Sequence, residues 1–209
     1  MTYTNLTPSG ETITETRDSA TTPAIAKSAK VSSLAVKDSE ALLGVDGVAV
    51  RPALEDEGAL LWELARDAGG VDLNSPYAYM MTCRNFAGTC VVGEIYGKPA
   101  GFVTAHRVQG RPDTVFVWQV AVLPDCRGFG IAKRMLDALM ELPACAGARK
   151  LEATVTSSNT ASEKLFRSFA KARGAELVVG AGFLEDDFPA QDRHEAERLF
   201  TIQPVHPID

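Results

Sequence analysis

From Val48 onward, hydrophobic positions recur either every second residue or every third to fourth, and before it they do neither. Residues 1 to about 46 are rich in Thr, Ser and Ala with few large apolar side chains. Little there can offset the entropy of ordering, so a disordered tail is expected, followed by one domain over 47–209. The tail has no basic start followed by an apolar core, so it does not read as a secretory signal. Glu11, Glu15 and Asp18 argue against a mitochondrial transit peptide.

The periodic part predicts its elements in turn. Val48–Arg51 reads as a short strand. Glu55–Ala68 reads as a helix, with Leu60, Leu61 and Leu64 on one face and Gly69-Gly70 as the stop. Asp72–Ser75 offers caps for a second helix reaching about Phe86, with Pro76 near its first turn. Cys90–Ile95 and Ala100–Arg107 form a hairpin around Tyr96-Gly97-Lys98-Pro99. Gly110–Asp113 turns the chain into a long apolar strand, Val115–Leu123. A glycine-rich turn then opens a helix over Lys133–Glu141, which Pro143 ends. Lys150–Thr156 is a strand and Asn159–Arg173 a helix with Gly174 as its C-cap. Glu176–Val179 and Leu199–Gln203 complete the sheet. The order βααβββαβαββ predicts an α/β (α+β) domain with a mostly antiparallel sheet.

Composition narrows the function. The 209 residues suit one domain with a sizeable core. A net charge of −6 argues against a nucleic-acid surface, which needs a concentrated positive field, and is compatible with an amine substrate. No apolar run approaches the roughly 20 residues of a membrane span. Cys83, Cys90, Cys126 and Cys145 form no CxxC pair, and no histidine pair has metal spacing. Free thiols in a reducing cytoplasm and no metal are expected. Cys126 beside Arg127 is either a thiolate of lowered pKa or a small residue in a tight loop.

The segment Phe116–Ala132 carries the chemistry. An apolar strand runs into Arg127-Gly128-Phe129-Gly130-Ile131-Ala132, which opens a helix. Free backbone N–H groups and the helix dipole make such a turn an anion cradle. The P-loop pattern is absent, and Lys133 stands where a dinucleotide fingerprint would continue toward its third glycine. The pattern that fits is [QR]xxGx[GA], and with it the domain resembles the N-acetyltransferase (GNAT) superfamily, which binds acetyl-CoA through this loop. The following unit, Thr154-Val155-Thr156-Ser157-Ser158-Asn159, fits the same superfamily, which places an asparagine near the pantetheine arm.

The likeness is closer still. Asp72-Leu73-Asn74-Ser75-Pro76-Tyr77-Ala78-Tyr79, Phe116-Val117-Trp118-Gln119-Val120-Ala121-Val122, Ser158–Ser162 and Leu165–Ala170 resemble the L-2,4-diaminobutyrate acetyltransferases of ectoine biosynthesis. Phe183, Phe188 and His194-Glu195 also fall where that family has them, and the resemblance covers about 48–203. It implies a GNAT sheet whose central strands splay at the cofactor. It also implies direct acetyl transfer from acetyl-CoA to the 4-amino group of diaminobutyrate, and a homodimer. Val120, Ala121 and Val122 would pair with the pantetheine arm. Arg127, Gly128, Phe129, Gly130, Ile131 and Ala132 would hold the pyrophosphate, with Asn159 and Ser162 beside the cofactor.

For the substrate, several residues carry two readings. Asp72 is a helix cap or, as the resemblance implies, a partner for a substrate ammonium. Tyr77 and Tyr79 give hydroxyl hydrogen bonds or core surface. Trp118, in period-two register with Val120 and Val122, is core or a catalytic wall of the amine pocket. Gln119 points to the other face unless a bulge rotates it. Glu152 shares a face with Thr154; it binds an ammonium and serves as base, or it pairs with a nearby cation. Asn159 bridges cofactor and substrate or caps the following helix. His194 moves a proton or lies on the surface. Phe166 occupies the position where many superfamily members carry a tyrosine acid, and it cannot donate a proton. Other readings are an acetyltransferase for another small diamine, and an acyl-CoA-binding module without catalysis.

Overall fold

The computed structural model describes residues 3–6, 12–15, 47–191 and 194–205. In the N-terminal unit, β1 (Tyr3–Leu6) pairs antiparallel with β2 (Thr12–Glu15), a short hairpin where no strand was expected. Tyr3, Thr4, Thr12, Ile13 and Thr14 are residue types that favour strands. The rest of the expected disordered tail lies outside the described residues.

The C-terminal unit follows the predicted order. Its elements are β3 (Val48–Pro52), α1 (Gly58–Ala68), α2 (Pro76–Phe86), β4 (Cys90–Ile95), β5 (Lys98–Val108), β6 (Arg111–Val122), α3 (Ile131–Glu141), β7 (Lys150–Thr156), α4 (Thr160–Arg173), β8 (Glu176–Phe183) and β9 (Glu197–Gln203). They build one sheet in the order β3-β4-β5-β6-β7-β9-β8. Every neighbouring pair is antiparallel except β6–β7, which the α3 crossover makes parallel.

Helices cover both faces of the sheet. Met135, Leu136 and Leu139 of α3 and Phe166 and Phe169 of α4 pack on Val103, Val117, Leu151, Val155 and Phe200. On the other face Leu61 and Leu64 of α1 and Tyr79 and Cys83 of α2 pack on Cys90, Val92, Phe102 and Ala121. Period two is visible in β4, where Cys90 and Val92 face one layer and Val91 the other. Among the described residues no helix is long and apolar enough to cross a membrane.

Local chemistry shifts three boundaries. Helix α1 begins at Gly58, later than the pattern suggested, because the Glu57 carboxylate accepts from the Leu54 N–H and closes a turn there. Strand β8 runs on to Phe183, through Gly180-Ala181-Gly182, which composition marks as loop. A Cβ at Gly182 would lie 2.4 Å from the Glu197 carbonyl oxygen, so glycine there permits close strand contact. Strand β9 accordingly starts at Glu197 rather than Leu199.

Two irregularities shape the middle of the sheet. Strands β6 and β7 pair only from Thr114–Val117 against Lys150–Ala153. Beyond that point β6 stays with β5 up to Val122 and β7 stays with β9 up to Thr156, so the two part in a V. Opposite the parting, the β5–β6 register slips between Thr104 and Ala105, whose partners are Gln119 and Val117. Trp118 is the extra residue of this β-bulge. The bulge reverses the alternation: Val115 and Val117 face the α3–α4 layer, as do Val120 and Val122 after it. Trp118 therefore does not share a face with Val120 and Val122, contrary to simple period two.

Candidate active site

The V between β6 and β7 opens a cleft of about 910 Å3. Its walls are Val117–Val120 of β6, Ala153–Thr156 of β7, the start of α4, the loop before α2 and the segment before β9. The volume lies within the usual range for a small-molecule site.

Beyond the end of β6 stands the glycine loop. Gly128 and Gly130 adopt positive φ values of 87° and 72°. Gly130 is the N-cap of α3 and no side chain caps that helix. Among the described residues no acceptor is hydrogen-bonded to the N–H groups of Gly128 through Lys133. Nothing lies within 4 Å of where a Cβ would sit at Gly128 or Gly130, so the amides form an open cradle. A pyrophosphate fits it by charge and by donor supply. Ile131 is buried in the core and Phe129 is exposed, so this segment offers a ligand its backbone more than its side chains.

Arg127 has a different place from the one expected. Its guanidinium donates to the Val122 carbonyl at 3.1 Å and to the Ala68 carbonyl at 2.6 Å. It ties the loop to the end of β6 and to α1 rather than pointing at the cradle. Cys126 is half-buried in the turn before it and packs on the core.

The middle of the cleft is the free edge of β6. Val120 lines it, Ala121 faces the α1–α2 layer and Val122 packs against the other. Across the gap, Thr154 lines the cleft, and Asn159 and Ser162 stand at the start of α4. Asn159 Oδ1 accepts from the Ser162 N–H at 3.0 Å, so Asn159 caps α4 and lines the cleft at once.

The rest of the cleft is rich in acceptors. Ser75, not Asp72, caps α2, accepting from the Ala78 N–H at 3.3 Å. The Asp72 carboxylate is left exposed, with Oδ2 3.6 Å from His194 Nε2. Gln119 Nε2 donates to the Asp72 carbonyl at 2.7 Å, while Gln119 Oε1 is buried without a partner. The bulge explains this placement: Gln119 sits opposite Thr104, on the α2 face beside Trp118. Glu197 Oε1 lies 3.9 Å from His194 Nε2. His194 is stacked on Phe188 at 4.1 Å and 16°. The residues lining the cleft include Asp72, Glu195 and Glu197 but no lysine or arginine. That field suits a cation. Among the described residues no group of His, Cys, Asp and Glu is arranged to hold a metal ion.

Three expected residues are not brought to the cleft. Tyr77 and Tyr79 are two apart on a helix, so they point about 200° apart. Tyr77 is exposed, and Tyr79 is buried edge-on against Phe102 at 6.2 Å. Glu152 stands opposite Phe116, where β6 and β7 are still paired, and its Oε1 meets Arg111 Nη1 at 2.7 Å. Thr154, two residues on, is past the parting and reaches the cleft. Glu197 joins the site because β9 begins two residues before Leu199, and Glu195, which the family resemblance already marks, lines the cleft beside it. An acidic pair just ahead of an apolar strand was the available signal. Phe166 lines the cleft and brings no proton donor.

A splayed parallel pair feeding an amide cradle is the architecture of an acyl-CoA-dependent acetyltransferase, and the Acetyltransferase (GNAT) family model matches residues 59–170. The L-2,4-diaminobutyric acid acetyltransferase of Marinococcus halophilus is 47% identical over 154 residues, 74% of this chain and 88% of that one. Its namesake from Streptomyces coelicolor is 45% identical over 157 residues, 74% of this chain and 91% of that one. The structure of diaminobutyrate acetyltransferase EctA from Paenibacillus lautus, in complex with L-2,4-diaminobutyric acid and coenzyme A, superposes with a TM-score of 0.73. It is 42% identical and covers 78% of this chain and 98% of that one. The chain belongs to this diaminobutyric acid acetyltransferase family.

The surroundings of the His194 ring favour its charged form. Nδ1 lies 2.7 Å from the Glu195 carbonyl, which can only accept, so Nδ1 carries a proton. That hydrogen bond raises the imidazole pKa above its ordinary value; partial burial opposes it, and the Asp72 and Glu197 carboxylates add to it. The sign follows from linkage. The contribution to folding is fully present below the unfolded value and is lost as pH rises through the higher folded one. Asp72→Asn is expected to move the His194 titration downward when followed by NMR. An unchanged midpoint would show that the ring does not feel Asp72.

Proposed function

We propose that this protein transfers the acetyl group of acetyl-CoA to the 4-amino group of L-2,4-diaminobutyrate, giving N4-acetyl-L-2,4-diaminobutyrate and coenzyme A on the route to ectoine. The observation that carries the reading is a cleft with acid side chains beside the free edge of β6, and an open amide loop that follows directly from the end of that strand. A polyphosphate thioester and a diamine have opposite needs, and the loop and the cleft meet one each.

The chain's residues divide the work. The N–H groups from Gly128 to Lys133 hold the pyrophosphate, and the free edge of β6 around Val120 aligns the pantetheine arm beside Asn159 and Ser162. A backbone N–H on that edge receives the charge that develops on the thioester oxygen. The substrate lies against the Trp118 ring. Asp72, Glu197 and Gln119 Oε1 supply acceptors for its ammonium groups, and Thr154 supplies a hydroxyl. Glu197, rather than Glu152, is the glutamate this reading gives to the substrate. The attacking amine must first be neutral, and the cluster of Asp72, His194 and Glu197 takes its proton. The amine lone pair then forms the C–N bond as the C–S bond breaks. The thiolate leaves without help from Phe166, and the proton shed by the new amide nitrogen reaches it through water. The main contribution of the protein is to hold two reactants in one gap.

The domain division is part of the same reading: the acetyltransferase domain is 47–209. Unpaired cysteines at Cys83, Cys90, Cys126 and Cys145 fit a reducing cytoplasm. A homodimer is supported by β8, an edge strand whose Val178, Val179 and Phe183 are exposed. Sedimentation velocity should show a species of twice the chain mass, and a single monomer boundary at assay concentrations would rule the dimer out.

The reaction itself is tested by incubating the protein with acetyl-CoA and diaminobutyrate, ornithine, lysine, putrescine or a peptide, and locating the acetyl group by NMR. Diaminobutyrate should turn over fastest and carry the acetyl group on N4. Equal rates across the panel, or acetylation of the α-amine, would defeat the substrate assignment. Coenzyme A binding with no turnover of any amine would favour a module that only binds acyl-CoA.

A further inference from the structure

The bulge in β6 gives Trp118 two neighbours at once. One side of the residue lines the large cleft. Trp118 also lines a separate cavity of about 180 Å3, together with Thr82, Phe86, Thr104, Ala105 and His106. This chamber lies on the α2 face of β5, where Phe86 of α2 meets His106 at 6.0 Å. Its volume is several times the ~30 Å3 share of one water, more than one or two added methylenes need. Its walls are mainly apolar. The Thr82 hydroxyl is already used, donating to the Ala78 carbonyl at 2.8 Å. The Thr104 hydroxyl is buried without a partner, so the chamber also holds an unused hydrogen-bonding group.

The cleft has a fixed length. Its acid end is anchored by Gln119, which holds the Asp72 backbone, and the edge that faces the donor is Val120 on the same strand. A diamino acid longer than the span must buckle sideways. The side that has space behind it is closed by the indole of Trp118. Trp118 is 42% exposed and lines both spaces rather than filling a core.

We propose that Trp118 is the length gauge of the amine site: its indole separates the cleft from the chamber and so excludes diamino acids with chains longer than that of diaminobutyrate. The inference rests on the diaminobutyrate reading and deepens it. It assigns the chamber as a latent subsite for the extra methylenes of a longer diamino acid. An apolar pocket that gains room for one methylene changes discrimination by about 10–200-fold.

The test compares kcat/KM for diaminobutyrate and ornithine in the wild type and in Trp118→Ala, with coenzyme A affinity measured on both to report the fold. The ornithine-to-diaminobutyrate ratio should rise by about 10-fold or more in Trp118→Ala. Trp118→Phe should move it the same way by a smaller factor. Refilling the chamber in the double variant Trp118→Ala/Thr82→Leu should bring the ratio back toward wild type. An unchanged ratio in a variant that still binds coenzyme A would overturn the gauge. So would loss of turnover with both amines, which would give Trp118 to the transfer step, or a refilled variant that keeps the gain. Wild-type protein inert toward diaminobutyrate would instead strike the proposed function, and the gauge with it.

Discussion

Everything at the site depends on the point where β6 and β7 stop pairing. A parallel pair is normally evenly bonded along its length and buried on both faces. Here the bonds end at Val117 and Ala153, and each strand continues with its outer neighbour. The free edge of β6 is thereby available to an extended ligand, and a gap appears in the middle of an otherwise closed sheet. The bulge at Trp118 falls at the same level and bends β6 away from β7. One local defect in register thus creates the cleft, exposes the edge and turns Trp118 and Gln119 toward the substrate end.

The surroundings keep this defect in place. The glycine loop follows directly from the end of β6, and Arg127 holds it by bonds to Val122 and Ala68. Gln119 reaches across to the Asp72 carbonyl, so the loop before α2 is tied to the same strand. Segments far apart in sequence therefore meet around one strand. Their chemistry is divided by charge, with unsatisfied amides beyond the end of β6 and carboxylates around an imidazole in the cleft. Neither needs a side-chain nucleophile, which accords with a reaction that positions two small molecules.

Much of this was legible in the sequence because it rests on local rules. Period-two and period-3.6 patterns place the elements, and the glycine loop declares itself by its strand-turn-helix context. Cap chemistry foretells Asn159 and Gly174, and Gly174 closes α4 with a positive φ of 62°. What escaped depends on long-range contact. The extra residue at Trp118 has no local signature, so the facing of Val120 and Gln119 could not be read. Glu152 looked like a site residue because it is a buried glutamate in an apolar strand. Its burial is compensated instead by Arg111, a residue on β6 whose approach only the paired part of the sheet reveals. Glu197 looked like loop because the glycines opposite it concealed how far β8 and β9 run together.

The claim that one gap joins donor and acceptor is most directly tested by a crystal structure of this protein with coenzyme A and diaminobutyrate bound together. The account predicts the pyrophosphate on the amides of Gly128 to Lys133 and the sulfur in the gap beside Val120. It also places the 4-amino group, not the α-amine, nearest that sulfur, with the chain against Trp118. A cofactor seated outside the β6–β7 gap, or the α-amine nearest the sulfur, would contradict it.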